Sequence, residues 1–418
     1  MEINDPITSF IFIPNKFIKI IDSYEVQRLR RIKQLSGAPY VYPGANHTRF
    51  EHSLGVMSGV QKLLDVLIRE RDLDIDSEYY DSAIAAGLVH DIGHGPFSHN
   101  FEEILYLKKF GKDHEDFTNY LVKNSEIGDL LQSLGLNKKV VADLAVGDLN
   151  RDGYQYLDQI IAGTINCDSL DYLARDAYHC GTAANLVLRE RIMTLADITP
   201  KFDLGFHIKG VGTLESFFMS RLNSFRTIYF HKASRAIQLM LGKALLLFDQ
   251  DTDSFSFSSP EEILKWDDIS LYYKLANNEV SKGIIDRINR RDLIKCCFEK
   301  PSVKTGNPEK TGNPEKIRQS IAEKAKIDED KVYIDFPMMA SVPYQHSKSL
   351  EQNEIPTFSV DQMGNKQKEK IEEHSLFFEQ IKGYYNFVRV YTDRKYVQIV
   401  NEASKKVLVG LTLDEWLY

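Results

Sequence analysis

Cysteine is scarce in this chain. Only four occur in 418 residues, at positions 167, 180, 296 and 297, and their spacing forms neither a disulfide framework nor a metal knuckle. Reduced thiols in a reducing cytosol are the matching expectation, and with them a cytoplasmic location. Long apolar runs are equally lacking. No stretch reaches the roughly 20 residues that a membrane-spanning helix needs, and the first residues do not read as a signal peptide, so no membrane role is expected. A basic balance is missing too: 52 Lys and Arg against 60 Asp and Glu give a net charge of −8 and a pI near 5.8. That disfavours broad electrostatic binding of nucleic acid and leaves phosphate attraction to local clusters. Against these absences stand 43% hydrophobic residues, enough at this length for a large core with one or two appended modules.

What is abundant is helical periodicity. Residues 51–70, 81–91, 101–110, 114–123, 214–248 and 260–277 read as helices, so the fold class is mainly α, a helical bundle core over residues 1–300. Residues 201–212 contain short β-like pieces with Gly that predict a hairpin covering the site. The duplicated Thr305-Gly306-Asn307-Pro308-Glu309-Lys310 and Thr311-Gly312-Asn313-Pro314-Glu315-Lys316 break both helix and strand, marking a linker over 301–330. Beyond it, strands at 331–336 and 388–391 around a helix at 373–384 predict a smaller α+β lobe over residues 331–418.

Chemistry concentrates in Gly87-Leu88-Val89-His90-Asp91-Ile92-Gly93-His94-Gly95-Pro96-Phe97-Ser98-His99. The apolar run Ile84 to Val89 leads into His90 and Asp91, placing the pair at the end of a buried helix. Gly-His-Gly-Pro then turns the chain, and His94 falls one helical turn beyond His90. Imidazole with carboxylate is a ligand set for Zn, Mn or Fe, with Mg admissible. His52 opens a helix whose Leu54, Met57, Leu63, Leu64 and Leu67 fall near one face, and Asp168 precedes another apparent helix. Singly, each is more often a cap or a surface residue. Together, His52, His90, Asp91 and Asp168 make a two-His, two-carboxylate site with positions left for water or substrate.

This His, His-Asp, Asp pattern resembles the HD-domain phosphohydrolases. The surrounding segments Ile3 to Ile7, Gln27 to Leu35, His47 to Gly55, His94 to His99 and Asp171 to Asp176 look like the deoxynucleoside triphosphate triphosphohydrolases of the SAM-and-HD-domain type. The likeness runs from residue 3 to about residue 300 and concerns the HD core, not the SAM domain. It implies one divalent metal ion (Mn, Mg, Fe or Zn) on His52, His90, Asp91 and Asp168, and hydrolysis of a dNTP to deoxynucleoside and intact triphosphate. It also implies His114 as the general acid near the leaving sugar oxygen, supported by His94 and Glu102. The family has Asp where Glu102 stands.

By the same resemblance Gln34 and Leu35 lie beside the sugar, Tyr172 and Tyr229 line the pocket, and Asp176 meets the 3′-hydroxyl. Arg49, His99 and Arg221 contact phosphate, where Arg suits the task through its planar fork. The family's phosphate-contacting Lys after the last metal ligand is Ser169 here. Asp22, Gln27 and Arg30 match residues that read guanine at an activator site, with Arg291 contributed by a neighbouring chain. The resemblance thus implies a GTP or dGTP activator and a homo-oligomer, dimer or tetramer. At the adjoining second activator position Lys209 fits, but His207 replaces Arg.

Other readings start from the same residues. An HD phosphodiesterase or a nucleoside monophosphate phosphatase would share the metal ligands, and release of orthophosphate instead of triphosphate would favour that alternative. A nucleotide or nucleic-acid sensor would keep the fold without needing His114. Arg28, Arg30, Arg31 and Lys33 would then form a solvated basic face able to touch single-stranded nucleic acid.

Overall fold

The computed structural model describes residues 1–102, 111–182, 187–304, 314–337, 355–381 and 384–408. The chain forms two compact units, each assembled from separate stretches: Met1–Ser224, Asp253–Tyr273 and Val342–Gln380 in the first, and Phe225–Thr252, Lys274–Ser341 and Ile381–Tyr418 in the second. The architecture is mainly helical with small sheets. Among the described residues no helix is long and apolar enough to cross a membrane.

The spine of the first unit is the helix Arg49–Arg71. Its start is set by Thr48, whose backbone N–H donates to the Glu51 carboxylate at 3.2 Å, the reciprocal half of a capping box. Leu54, Met57, Leu63, Leu64 and Leu67 are all buried, as their periodicity predicts. Two helices pack on this spine, Ser77–Val89 and Cys167–Cys180. Glycine permits both close approaches. A Cβ on Gly87 would lie 2.9 Å from Val60 Cγ2, and one on Gly55 would lie 2.1 Å from Asp171 Oδ1. These contacts bring the start of one helix, the end of a second and the start of a third to one place. His52, His90 and Asp168 stand at those three points.

Two small sheets complete the first unit. Strands Glu2–Asp5 and Ser9–Phe12 form an antiparallel hairpin. Strand Leu204–His207 pairs antiparallel with Ala196–Ile198 and parallel with Thr357–Val360, which in turn pairs antiparallel with Lys366–Glu369. The hairpin expected within 201–212 therefore begins earlier, at Ala196. Its second strand is committed to Thr357–Val360 because Phe206 N–H donates to the Pro356 carbonyl at 2.8 Å, a pairing with a distant segment that periodicity cannot reveal.

The second unit carries the three-stranded sheet in the order Lys295–Lys304, Tyr384–Thr392, Val332–Asp335, all antiparallel. Its core gathers Phe298, Val332, Val388 and Val390 with Ile317 and Ile321 of helix Pro314–Ala325 and Val400 and Leu408 of helix Val397–Leu408. The strands expected at 331–336 and 388–391 are present. The strand Lys295–Lys304 falls inside the region read as helical core, because its alternation is obscured by Lys, Glu and Pro. Within the duplicated hexapeptides residues 305–313 lie outside the described residues, while Pro314 opens a helix, a position where its missing N–H costs nothing.

Two expected helices change, and a third lies almost wholly outside the described residues. The span 214–248 is two helices, Val211–Ser224 and Lys232–Thr252, parted by a π-helical turn at Phe225–Tyr229 in which Phe230 N–H reaches back five residues to the Phe225 carbonyl. The span 260–277 is a 3-10 turn, Pro260–Lys265, and a helix, Asp268–Asn277. The span 101–110 is described only to Glu102, at the end of a single turn, His99–Phe101.

Candidate metal centre and its histidine neighbours

His52 and His90 face each other edge to face with ring centroids 5.1 Å apart. Each ring has its Nδ1 occupied. His52 Nδ1 donates to Asp171 Oδ2 at 2.9 Å, and His90 Nδ1 donates to the Gly87 carbonyl at 3.0 Å. Both Nε2 atoms are thereby turned toward the carboxylates: His52 Nε2 lies 2.9 Å from Asp168 Oδ1, and His90 Nε2 lies 3.4 Å from Asp91 Oδ1 and 3.8 Å from Asp168 Oδ1. One donor atom from each of His52, His90 and Asp168 falls within 4.8 Å of the others. Asp91 adjoins this group, with Oδ2 held by Arg49 at 2.5 Å.

A divalent cation fits this donor set. His90 Nε2 is buried and makes no hydrogen bond. Burial disfavours charge on His52, but its hydrogen bonds to Asp168 and Asp171 outweigh that and push the imidazole up to about 10. Two carboxylates thus demand a cation at this point, and a metal ion on Nε2 meets the same demand. Burial pushes the Asp91 carboxyl up, yet Arg49, His90 and His94 hold it well below the usual carboxylate range. Asp168 is likewise held low, burial being overcome by its bond to His52 and by the nearby His90 imidazole. The Nδ1 partners are the orienting contacts that metal-bound imidazoles characteristically carry.

Beside this centre lies a second group, His94, His99, Glu102 and His114, with donor atoms within 4.8 Å of one another. His114 opens the helix His114–Asn124, capped by Asp113, which accepts from Glu115 N–H at 3.0 Å. Its Nδ1 donates to Glu102 Oε2 at 2.9 Å, and His99 Nδ1 donates to the same oxygen at 3.0 Å. Glu102 therefore reaches His114 despite replacing a shorter Asp. His94 does not bond Glu102; it stacks on His114 at 3.9 Å and places Nε2 3.3 Å from Asp91 Oδ1. Their protonation diverges. Burial, reinforced by Arg49 and His114, holds His94 far below its ordinary value, whereas for His114 the bond to Glu102 outweighs burial and raises it. Glu102 favours the charged form of His114, and burial favours the neutral form of the His94 ring stacked on it.

The expected substrate residues distribute unevenly. Asp168, Tyr172 and Asp176 follow at intervals of four on the helix Cys167–Cys180, which Asn166 caps by accepting from Ser169 N–H at 2.6 Å. Ser169, where the resemblance expects Lys, is buried and serves that cap. The Tyr172 hydroxyl accepts from Arg221 Nη1. Asp176 Oδ1 is 2.7 Å from His47 Nε2, whose ring stacks on His179 at 4.4 Å. Gln34 donates its backbone N–H to the His47 carbonyl at 3.1 Å, its side-chain oxygen is buried without a hydrogen bond, and Leu35 follows it half-buried. Arg49 donates Nε to Ser98 Oγ at 2.8 Å. His99, an expected phosphate contact, sits in the Glu102 group and is exposed. Tyr229 and Arg291 belong to the second unit.

At the expected activator segment, Arg30 Nε donates to Gln27 Oε1 at 2.9 Å, and Gln27 Nε2 donates to the Ile21 carbonyl at 2.8 Å, next to exposed Asp22. The Arg30 guanidinium lies 3.5 Å over the Phe50 ring. The solvated basic face proposed for this segment does not form. Arg28 is fully buried, donating to the Trp266 carbonyl at 2.8 Å and the His94 carbonyl at 3.0 Å, and Arg31 pairs with Asp267 at 2.5 Å. Arg28, His47, Asp171 and Arg175 are the residues that sequence reasoning passed over. The four-residue spacing of Asp171 and Arg175 signals an ion pair on a helix; its direction, into the metal centre, is set by packing.

Comparison with known proteins agrees with this geometry. A family model described as the HD domain matches residues 49–199, and one described as the HD associated region matches residues 190–411. The uncharacterized protein YwfO of Bacillus subtilis is 30% identical over 401 residues, spanning 91% of this chain and 88% of that protein. A protein of Dictyostelium discoideum named as a deoxynucleoside triphosphate triphosphohydrolase SAMHD1 homolog is 29% identical over 70% of this chain, which spans 59% of that relative's length. A solved structure of a hypothetical protein from Aquifex aeolicus superposes with a TM-score of 0.77 at 25% identity, covering 96% of this chain and 99% of that one.

Proposed function

Because the chain belongs to the HD-domain phosphohydrolase family and carries that family's associated region, we propose that it hydrolyses deoxynucleoside triphosphates to deoxynucleoside and inorganic triphosphate. The observation that carries this reading is the placement of His114, bonded to Glu102 at 2.9 Å and stacked at 3.9 Å on His94, which itself lies 3.3 Å from the carboxylate of Asp91. A proton donor stands one ring away from a metal cradle.

The Nε2 atoms of His52 and His90, with Asp168 and Asp91, hold one divalent ion, Mn, Fe, Zn or Mg. When bound, such an ion supplies Lewis-acid polarisation of the α-phosphate and a water of lowered pKa. Arg49 and Arg221 bind phosphate oxygens, Arg49 leaving its Asp91 contact to do so. His114 gives its proton to the departing sugar 5′-oxygen while Glu102 holds the ring in place. Gln34, Leu35 and Tyr172 close around the sugar edge, rejecting a 2′-hydroxyl, and Asp176 accepts from the 3′-hydroxyl. The name of the Dictyostelium relative supports this substrate class.

Guanine-nucleotide activation, by GTP or dGTP, belongs to the same reading. Asp22 accepts from the guanine N1 and N2 hydrogens, and Arg30, with Gln27, donates to its O6 and N7 edge. Arg291 of a second copy completes the site, so the active form is a homo-oligomer. One observation favours a second reading, a two-metal HD nucleotide phosphatase: His94, His99, Glu102 and His114 also offer converging donors. One experiment separates them. Purified protein is incubated with each dNTP and Mn²⁺ or Mg²⁺, with and without GTP or dGTP, and the bound metal is counted. Deoxynucleoside with intact triphosphate and one metal per chain supports the proposal. Orthophosphate with two metals supports the second reading, and no turnover points to a sensor.

A further inference from the structure

We propose that Asp5 and Arg175 are positioning residues for the metal centre, acting on His52 through Asp171, so that the N-terminal hairpin is a working part of that centre. The inference rests on reading His52 as a metal ligand and is independent of the substrate.

The connection is a continuous buried ladder. His52 Nδ1 donates to Asp171 Oδ2 at 2.9 Å. Arg175 closes on Asp171 with both arms of its fork, Nε to Oδ2 at 2.8 Å and Nη2 to Oδ1 at 3.0 Å. Its third nitrogen, Nη1, donates to Asp5 Oδ1 at 2.7 Å. Asp5 Oδ2 is the hub of the hairpin turn, accepting from Ile7 N–H at 3.0 Å, Thr8 N–H at 2.8 Å and Thr8 Oγ1 at 3.0 Å. Arg175 and Asp171 are fully buried, and His52 is 1% and Asp5 8% exposed. Two further charges face the ladder, Arg189 Nη1 at 3.4 Å from Asp171 Oδ1 and Glu51 Oε2 at 3.9 Å from Arg175 Nη1. The spine helix is bare at this level, since a Cβ on Gly55 would lie 2.1 Å from Asp171 and 2.5 Å from Arg175 Nη2.

Stability is a poor account of this arrangement. Burying two carboxylates and a guanidinium carries a desolvation penalty that their attraction does little more than repay, and an apolar cluster would anchor a hairpin as well. What a carboxylate held from behind by Arg provides is a fixed acceptor. It keeps the His52 proton on Nδ1 and the Nε2 lone pair on the metal side, and it fixes the plane of the ring. Asp171 alone could rotate. Arg175 prevents this, and Asp5 fixes Arg175 in turn.

The test measures Mn²⁺ affinity of the full chain by competition with a chelator, alongside the melting temperature without metal. Asp5→Asn and Arg175→Lys interrupt the ladder; Ile11→Ala removes a buried side chain from the same hairpin without touching it. The expected result is a Kd weakened about 10-fold or more by both ladder variants, the usual scale for losing an outer-shell partner, with Ile11→Ala lowering the melting temperature but leaving Kd in place. An unchanged Kd in folded Asp5→Asn overturns the proposal. So does a Kd that shifts in Ile11→Ala in step with melting temperature, which reduces the ladder to scaffolding. If Arg175→Lys does not fold, Asp5→Asn decides alone. Wild type that binds no Mn²⁺ removes both the proposal and the metal-centre reading, whereas wild type that binds Mn²⁺ but leaves dNTPs intact removes only the substrate reading.

Discussion

The two histidine and carboxylate groups of the first unit are built from the same residue types and differ in which ring nitrogen is engaged. At His52 and His90 the Nδ1 atoms are bonded outward, to Asp171 and the Gly87 carbonyl, so both Nε2 atoms converge on carboxylates. At His99 and His114 the Nδ1 atoms converge on one Glu102 oxygen, which leaves their Nε2 atoms facing away from it. Nε2 atoms converging on carboxylates suit a cation between them; Nδ1 bonded to a carboxylate favours the charged form of His114. The surroundings of an imidazole, more than the imidazole itself, decide whether it holds a metal or a proton.

Breaking the first group carries the largest effect. His90→Ala removes a convergent donor, and both metal content, read by elemental analysis, and dNTP turnover should fall to background. Retained metal with normal turnover would break the distinction between the groups. A smaller effect sharpens it. His114→Asn should leave metal content intact and lower kcat roughly 100- to 10,000-fold, the usual contribution of a positioned proton donor. Because His114 acts in its charged form and Glu102 raises it, activity is lost as pH rises through the raised value. Glu102→Gln removes that support, so the alkaline limb of the kcat profile should move to lower pH; a shift upward or none would sink the assignment.

The smallest expected effect concerns the loop joining the two groups. Asp268 accepts from Phe97 N–H at 2.7 Å and Lys33 N–H at 3.0 Å, and burial pushes its carboxyl up from 3.8 to about 6. The folded protein therefore holds this proton more tightly than the unfolded chain does. The group's contribution to stability is present below its unfolded value and declines as pH rises from 3.8 to about 6. Calorimetry across that window should show a flatter dependence of melting temperature on pH in Asp268→Asn than in wild type.

Much of the fold was legible because it is local. The apolar stripe from Leu54 to Leu67 and the run into His90 are patterns within single helices, and each helix formed where its pattern lay. The breaks were not legible. The π-turn at Phe225–Tyr229 contains neither Pro nor Gly, and the strand Lys295–Lys304 becomes a strand through Tyr384–Thr392, some ninety residues later. At the site, the sequence pointed to His52, His90, Asp91 and Asp168 and to His114 with Glu102. It did not point to Asp171, Arg175, His47 or Arg28, because a charged residue in a helical pattern reads as a solvated face until its neighbours are known. Arg28 shows the reversal most clearly: read as one of four basic surface residues, it is fully buried beneath the His94 loop.

The sequence by itself determined that the core is helical and which residue types could hold a metal ion or move a proton. These follow from periodicity and side-chain chemistry, both of which act within a few residues. Only the tertiary structure decided that three helix ends meet at one point, that His94 stacks on His114 instead of bonding Glu102, and that a turn at residue 5 reaches His52 through Arg175 and Asp171. Those outcomes depend on contacts between residues far apart in the chain, whose distances are set by how closely the helices can approach.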